Sequence, residues 1–339
     1  MPSEKQYLER KENVSSILRY IRANGPQSRR QLSAGLSLSW GCISELVTIL
    51  ISKKILIEDV SDNHNSKGRA SSVLRLNTEI CFLGLDVNKN GLKASVCNLL
   101  GEKIEEFDDK LNFDSKANLV QTIIDFVKPI LDTFKGVSGI GFAMQGIFHA
   151  NRNAWEFPSD TSILIEPHKE FEKIFNLPII TEHDPNCILY GCFDKSAENK
   201  MVVRLDSGIG ASVFKNGSFL KEELLEIGYF VVNEKGERLH GIISKKAIEK
   251  NSSEQQLENY LKYAGMHLGI VLGNVCNFLR IDDIYICGDL VTKYNLLNDS
   301  FYEFYEKTAI ADYAAKITTV YVTDAAFGAA KIAMDNFQY

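Results

Sequence analysis

The sequence predicts an α/β protein: an N-terminal helical head with a two-stranded wing, followed by two similar α/β halves. Three observations predict it. Residues 12–53 carry three helical apolar periods separated by turn signals, and two short β-rich runs follow around a polar loop. From residue 82 onward, short apolar strands and amphipathic helices alternate, and an Asn-Gly turn signal sits beside strand runs in both halves. A chain of 339 residues is also too long for one ordinary core.

In the head, residues 12–23 place Val14, Ile17, Leu18 and Ile21 on one helical face, and Asn24-Gly25-Pro26 ends that helix. Ser28 with Gln31 three residues on is a capping box, so a second helix starts there with Arg29 and Arg30 in its first turn. Arginines oppose the helix dipole at that end, and a phosphate backbone would offset the cost. After Ala34-Gly35 the chain turns. Ser39 can then cap a third helix with apolar positions Ile43, Leu46, Val47, Leu50 and Ile51. Its opposite face carries Trp40, Cys42, Ser44, Glu45 and Thr48, small or hydrogen-bonding residues suited to base edges. Trp40 can alternatively pack into the head's own core.

Residues 55–57 and 73–76 read as strands around a polar loop that holds Lys67, Gly68 and Arg69. Glycine there lets backbone approach a groove, and Arg can enter the narrow minor groove of A·T-rich DNA. Three helices and a hairpin make a winged helix-turn-helix over residues 1–76, with double-stranded DNA as the expected partner. Two-fold dimers read pseudo-palindromic sites, so a homodimer or higher homo-oligomer is expected.

The first α/β half opens with strand-like residues 82–86, 92–99 and 103–107, with Asn90-Gly91 as a hairpin signal. Residues 117–134 form an amphipathic helix with Leu119, Ile123, Phe126, Val127, Ile130 and Leu131 inward, and 137–142 and 178–181 are buried strands. The second half has strands at 201–205 and 211–215, turning at Asn216-Gly217. A long helix over 253–279 follows, with its stripe at Leu257, Leu261, Ala264, Leu268, Val271, Val275 and Phe278. Strands at 284–287 and 320–322 and a last helix from Ala325 close the chain.

Composition bounds the class. Hydrophobic content of 45% and charged content of 24% are those of a globular protein in water. No run of eighteen apolar residues exists and the N-terminus lacks a signal-peptide core, so a cytoplasmic location without membrane contact is expected. Seven scattered cysteines without a Cys-x-x-Cys pair fit reduced thiols. Residues 1–76 hold 12 Lys/Arg against 7 Asp/Glu, a net of +5, which leaves −11 on the remainder of a chain whose total is −6. A basic head on an acidic body suggests that the head alone approaches a polyanion.

Beyond these patterns, a set of motifs resembles the ROK family (repressors, open reading frames and sugar kinases), in its regulator branch. The carriers are the head; Gly139-Ile140-Gly141-Phe142-Ala143-Met144-Gln145-Gly146; Leu177-Pro178 through Glu182-His183-Asp184-Pro185-Asn186; Gly208-Ile209-Gly210-Ala211; Glu226-Ile227-Gly228-Tyr229; and Ile286-Cys287-Gly288. The resemblance covers nearly the whole chain and implies an actin-like pair of ribonuclease-H-type lobes. It divides the chain at 1–76, 77–185 and 186–324, with the helix at 325–339 returning to the first lobe.

The resemblance also implies functional residues, and the sequence departs from several. Family kinases carry Asp-x-Gly-Gly-Thr-Lys on the first hairpin, where backbone amides meet ATP phosphates. Here the stretch is Asp86-Val87-Asn88-Lys89-Asn90-Gly91, without the glycine pair and threonine. The second phosphate turn survives as Asp206-Ser207-Gly208-Ile209-Gly210; Gly208 and Gly210 are either its remnant or glycines required for φ > 0. Asp184 holds the general-base position, and with Glu226 it can accept sugar hydroxyls. His183 and Tyr229 stand where Asn and His are usual. Asp184 can alternatively cap a helix, and Glu226 can be a solvated loop acid.

The family's Cys-x-Cys-Gly-x-x-Gly-Cys-x-Glu zinc motif has no counterpart between Gly228 and Lys250, where only His240 is available, so neither metal nor cofactor is expected. These features imply a transcriptional regulator, expected to repress carbohydrate uptake or metabolism genes under control of a sugar or sugar derivative held between the lobes. Two alternatives remain: an ATP-dependent sugar kinase, and a ligand-free scaffold that dimerises the head.

Overall fold

The computed structural model describes residues 4–60, 72–88, 91–111, 115–157, 163–192, 199–206, 208–216, 218–219, 225–251, 254–321 and 323–337. Two compact units emerge. One combines residues 1–181 with 329–339, so the head and the first α/β half fall together; the other is 182–328.

The head has helices α1 (Glu4–Asn24), α2 (Arg29–Leu36) and α3 (Trp40–Ser52) and strands β1 (Leu56–Val60) and β2 (Ser72–Leu76). Both halves of the capping box form: Gln31 Oε1 accepts the Ser28 N–H at 2.8 Å and Ser28 Oγ accepts the Gln31 N–H at 3.3 Å. Ser37 turns the chain in the left-handed region at φ 54°, and Ser39 Oγ caps α3 through the Cys42 N–H. Ile17, Ile21, Leu32, Ile43, Val47, Leu50, Leu56 and Leu74 make its core. β1 and β2 pair antiparallel from Leu56↔Leu76 to Val60↔Ser72, and Gln27 bridges to Leu74 with bonds of 3.0 and 2.8 Å. Gly35 is where α2 crosses α1, because a Cβ there would overlap the Tyr20 hydroxyl.

The first α/β half runs β3 (Cys81–Asn88), β4 (Gly91–Asn98), β5 (Lys103–Asp109), α4 (Lys116–Thr133), β6 (Val137–Met144), β7 (Ile147–His149), β8 (Ala154–Phe157), β9 (Ile163–Ile165), α5 (Pro167–Phe175) and β10 (Ile179–His183). Its sheet order is β10-β6-β3-β4-β5, antiparallel through β3, β4 and β5 and parallel from β3 to β6. Every residue of β3 is buried, as a central strand requires. The antiparallel sheet β7-β8-β9 and helix α5 were not legible in the sequence.

The second unit contains α6 (Asp184–Cys192), β11 (Asn199–Leu205), β12 (Ile209–Lys215), β13 (Ser218–Phe219), a 3-10 turn at Ile227–Tyr229, α7 (Leu239–Ile242), α8 (Lys245–Lys250), α9 (Glu254–Leu279), β14 (Asp283–Cys287), α10 (Asp289–Lys293), α11 (Asp299–Thr308) and β15 (Lys316–Val320). Its sheet order is β13-β12-β11-β14-β15. Numbered from the start of each half, both sheets follow third-second-first-fourth-fifth, which is the repeated topology expected of the two lobes.

Two expectations are corrected. The last strand is Lys316–Val320 and not 320–322. Phe278 is 85% exposed and leaves the α9 stripe. The reason is that α9 meets α11 along Gly265, Gly269 and Gly273, where a Cβ would strike Leu296 O, Phe301 O and Thr308 Cβ at 2.7, 2.4 and 2.8 Å. Past that contact, Asn277 holds Thr308 O at 2.9 Å and the Ile310 N–H at 2.7 Å, so the next residue turns outward.

The final helix, α12 (Ala325–Asn336), starts within the second unit and ends within the first. Small residues seat it: a Cβ on Gly141 would lie 2.1 Å from Ala329 O. Its last turn meets the head. Arg22 of α1 donates to Asp335 Oδ1 at 2.7 Å and to Leu99 O at 3.1 Å.

Candidate functional site

In the head, Arg30, Trp40, Glu45 and Thr48 are exposed, while Cys42 and Ser44 are half-buried. Trp40 sits at the first position of α3, 58% exposed, so it does not pack into the head's core. Asn13 Nδ2 donates to Cys42 Sγ at 3.9 Å, which ties that thiol inward. Thr48 Oγ1 donates to Ser44 O at 2.7 Å, and Arg10 pairs with Glu45 at 3.1 Å. Arg29 forks onto Glu58 of the wing, one arm at 3.1 Å, and its donation holds the Glu58 carboxyl below the usual range, with Ser72 assisting. The wing acid therefore accounts for one arginine at the start of α2, and Arg30 alone of the pair stays outward. Lys67, Gly68 and Arg69 lie outside the described residues.

In the second unit, the first residues of β12 touch neighbours of two of the expected ligand residues. A Cβ on Gly210 would meet Pro185 Cγ at 3.0 Å, beside Asp184; a Cβ on Gly228 would meet Ile209 Cβ at 3.3 Å, beside Tyr229. Neither Gly208 nor Gly210 has positive φ, so the turn-strain explanation for these glycines does not hold. Gly208 has nothing within 4 Å of its Cβ direction, and a Cβ at Gly210 would press on the Pro185 ring alone.

Asp184 is the first residue of α6 and is buried. Its Oδ2 accepts from Arg204 at 2.6 Å, and the same guanidinium donates to Asp206 Oδ2 at 2.5 Å. Asp206 Oδ1 in turn accepts the Asp289 N–H at 2.5 Å. Here one arginine stands between two buried carboxylates and braces the starts of α6 and α10 against the end of β11. The Asp184 carboxylate is thus engaged by a cation, the opposite of what a general base seeking a hydroxyl proton requires. Asp206 also places a carboxylate on the phosphate turn, where it would repel phosphate oxygens. Nothing in the sequence pattern singled out Arg204, because its two partners are twenty residues before and two residues after it.

His183 is half-buried, and burial lowers its ring to about 4, so it is neutral at physiological pH. Its backbone N–H and the Asn186 side chain both donate to Glu182 Oε1, at 2.9 and 2.8 Å. Glu226 is exposed, and desolvation raises its carboxyl from the ordinary value.

Gly208 and Tyr229 share a cavity of about 760 Å³ within this unit, whose wall also includes His240, Lys246, Lys250 and Tyr260; His183, Asp184 and Glu226 do not line it. Residues of α7 and α8 thus build part of this wall. His240 Nδ1 lies 2.9 Å from Gly228 O, and a carbonyl only accepts, so the proton is on Nδ1 and a neutral ring keeps its acceptor at Nε2. The Tyr229 ring is 5.0 Å from that of His240 and 5.2 Å from the Arg238 guanidinium. Tyr260 donates to Ile242 O at 2.9 Å, and burial pushes its phenol up. Among the described residues no group of three or more His, Cys, Asp or Glu is placed to hold a metal ion. No helix is long and apolar enough to cross a membrane among those residues.

Comparison with known proteins bears on this geometry. The sequence profile described as "ROK family" matches residues 83–240. The xylose repressor of Bacillus subtilis (strain 168) is 22% identical over 329 residues, covering 86% of this chain and 85% of the relative. The DNA-binding transcriptional repressor Mlc of Escherichia coli (strain K12) is 22% identical over 243 residues, covering 67% and 60%. Among solved structures, a ROK family transcriptional regulator described as a homologue of the E. coli Mlc protein superposes with a TM-score of 0.81 at 16% identity, over 96% of both chains. A ROK hexokinase from Thermus thermophilus superposes with a TM-score of 0.64 at 14% identity, over 75% of this chain and 98% of its own.

Proposed function

The chain belongs to the ROK family, and from that premise we propose that it is a DNA-binding transcriptional repressor of carbohydrate uptake or metabolism genes, controlled by a sugar or sugar derivative. One observation carries the reading: the winged helix-turn-helix presents Trp40, Glu45 and Thr48 to solvent on the face of α3 opposite its buried stripe. That is where a recognition helix meets the edges of bases. The similarity to repressors over most of both chains supports it, whereas the hexokinase superposition covers only 75% of this chain. Against a kinase reading stand the Arg204 pair on Asp184 and the Asp206 carboxylate on the phosphate turn.

The mechanism we infer is a shift of populations. A ligand that prefers one arrangement of the body biases the two heads of a dimer toward or away from operator spacing. A preference of about 1.4 kcal/mol is enough for a tenfold change in occupancy. The Arg22–Asp335 pair ties α1 of the head to α12, and so supplies a route from body to head.

A fluorescence titration with duplex fragments from the protein's own promoter region and with random fragments tests the reading, repeated with a sugar panel. Selective binding that one sugar changes is the expected result. Equal affinity for both fragments, whatever sugar is added, would overturn it.

A further inference from the structure

The cavity of the second unit carries more information than the class "sugar". Lys246 and Lys250 both line it, four residues apart on α8. Like charges at that spacing face one another on a helix and destabilise it. Neither lysine has an acidic partner among the described residues, whereas Lys245, outside the cavity lining, pairs with Glu249 at 3.9 Å. The acid in the lining, Glu237, is already engaged: Asn233 and Tyr263 donate to it and hold its carboxyl below the ordinary value. The uncommitted charge at the wall is therefore positive, in a body that carries −11 overall (−6 in total less +5 on residues 1–76).

The opposite chemistry is present in the same cavity. Tyr229 is half-exposed and offers a ring face suited to the C–H face of a sugar, and His240 Nε2 can hydrogen-bond a hydroxyl. Gly208 leaves its backbone open to a ligand.

We propose that this cavity is the effector site and that it selects a phosphorylated sugar, the phosphate on Lys246 and Lys250 and the ring on Tyr229 and His240. Two lysines supply charge without a planar fork, which suits a phosphate that presents oxygens in several directions. This deepens the sugar-responsive reading above and rests on it.

The test is a thermal-shift and calorimetric titration of the full chain. The probes are pentose and hexose phosphates, their parent sugars, the matching uronates, inorganic phosphate and AMP. A sugar phosphate should bind at least about tenfold more tightly than its parent sugar. That preference should vanish in K246A/K250A and persist in K245A. The unliganded melting temperature of the double variant is not lowered, because both side chains are exposed and their removal relieves like-charge repulsion. The proposal is overturned if no sugar phosphate binds, if the parent sugar binds as well, if the uronate, inorganic phosphate or AMP binds as tightly, or if the preference survives the double substitution. Operator binding without ligand is measured in the same samples. Its loss would count against the regulator reading alone, and its presence beside any overturning result would count against the phosphate site alone.

Discussion

Arg22 and Asp335 meet at 2.7 Å, 313 residues apart in sequence, with both side chains mostly shielded from water. The pair joins the last turn of the first head helix to the last turn of the final helix. Charge-assisted bonds of this kind contribute about 1.5–3 kcal/mol. We expect Arg22→Ala to lower stability by about that amount and to blunt the change in operator affinity caused by ligand. Titrations of wild type and variant, each with and without effector, check this. An undiminished ligand response would show that the pair holds the fold without transmitting anything.

Arg204 stands between two buried carboxylates, so its removal takes from both the cation they face. Breaking a buried pair from one side costs about 3–5 kcal/mol, and we expect Arg204→Met to fall in that range by urea unfolding. Adding Asp206→Asn should recover part of the loss, because it removes one of the two like charges. A loss below about 1 kcal/mol would mean that the network is not a brace.

The two arginines at the start of α2 should separate cleanly. Arg30→Ala is expected to leave the melting temperature nearly unchanged and to flatten the salt dependence of operator binding by about one phosphate. Arg29→Ala is expected to lower the melting temperature, since Arg29 holds Glu58. Identical behaviour of the two variants in both assays would contradict this assignment.

Trp40→Ala should change stability by no more than about 0.5 kcal/mol, as for other surface substitutions, while weakening binding to the operator. Gel-shift titration of operator and random duplex checks it. Equal binding by variant and wild type would remove Trp40 from the interface.

Acid should destabilise the body through His183. Its ring protonates at about 4 in the folded chain and near 6.5 when unfolded, so only the unfolded chain takes up a proton between those values. Stability is therefore full above pH 6.5 and falls by up to about 3 kcal/mol as pH drops toward 4. The lowered pKa of His267, caused mainly by burial, acts in the same direction. Urea unfolding at pH 7.5, 6 and 5 should show the loss, and His183→Asn should reduce it. A slope unaltered in that variant would place the effect elsewhere.

Much of the fold was legible because its signals are local. Capping by Ser28 and Ser39, the apolar stripe of α3 and the strand runs of both sheets depend on residues within a turn or two of each other. The site was legible only in part. Gly208 and Tyr229 share a cavity, but His183, Asp184 and Glu226 do not line it, and its remaining wall comes from a stretch whose sequence showed only a missing metal motif. Phe278 misled because helical periodicity cannot register where a neighbouring helix ends.

The chain's own order of residues determined the winged head, the doubled strand grammar and the basic-on-acidic charge division. These follow from periodicity, capping and composition, which act along the backbone. Only the tertiary structure decided which charges are spent. Arg29 on Glu58, Arg204 on Asp184 and Asp206, and Arg22 on Asp335 are pairings across 29, 20, 2 and 313 residues. Which acid meets which arginine depends on where folding brings their elements, and that placement also leaves Lys246 and Lys250 facing the cavity without an acidic partner among the described residues.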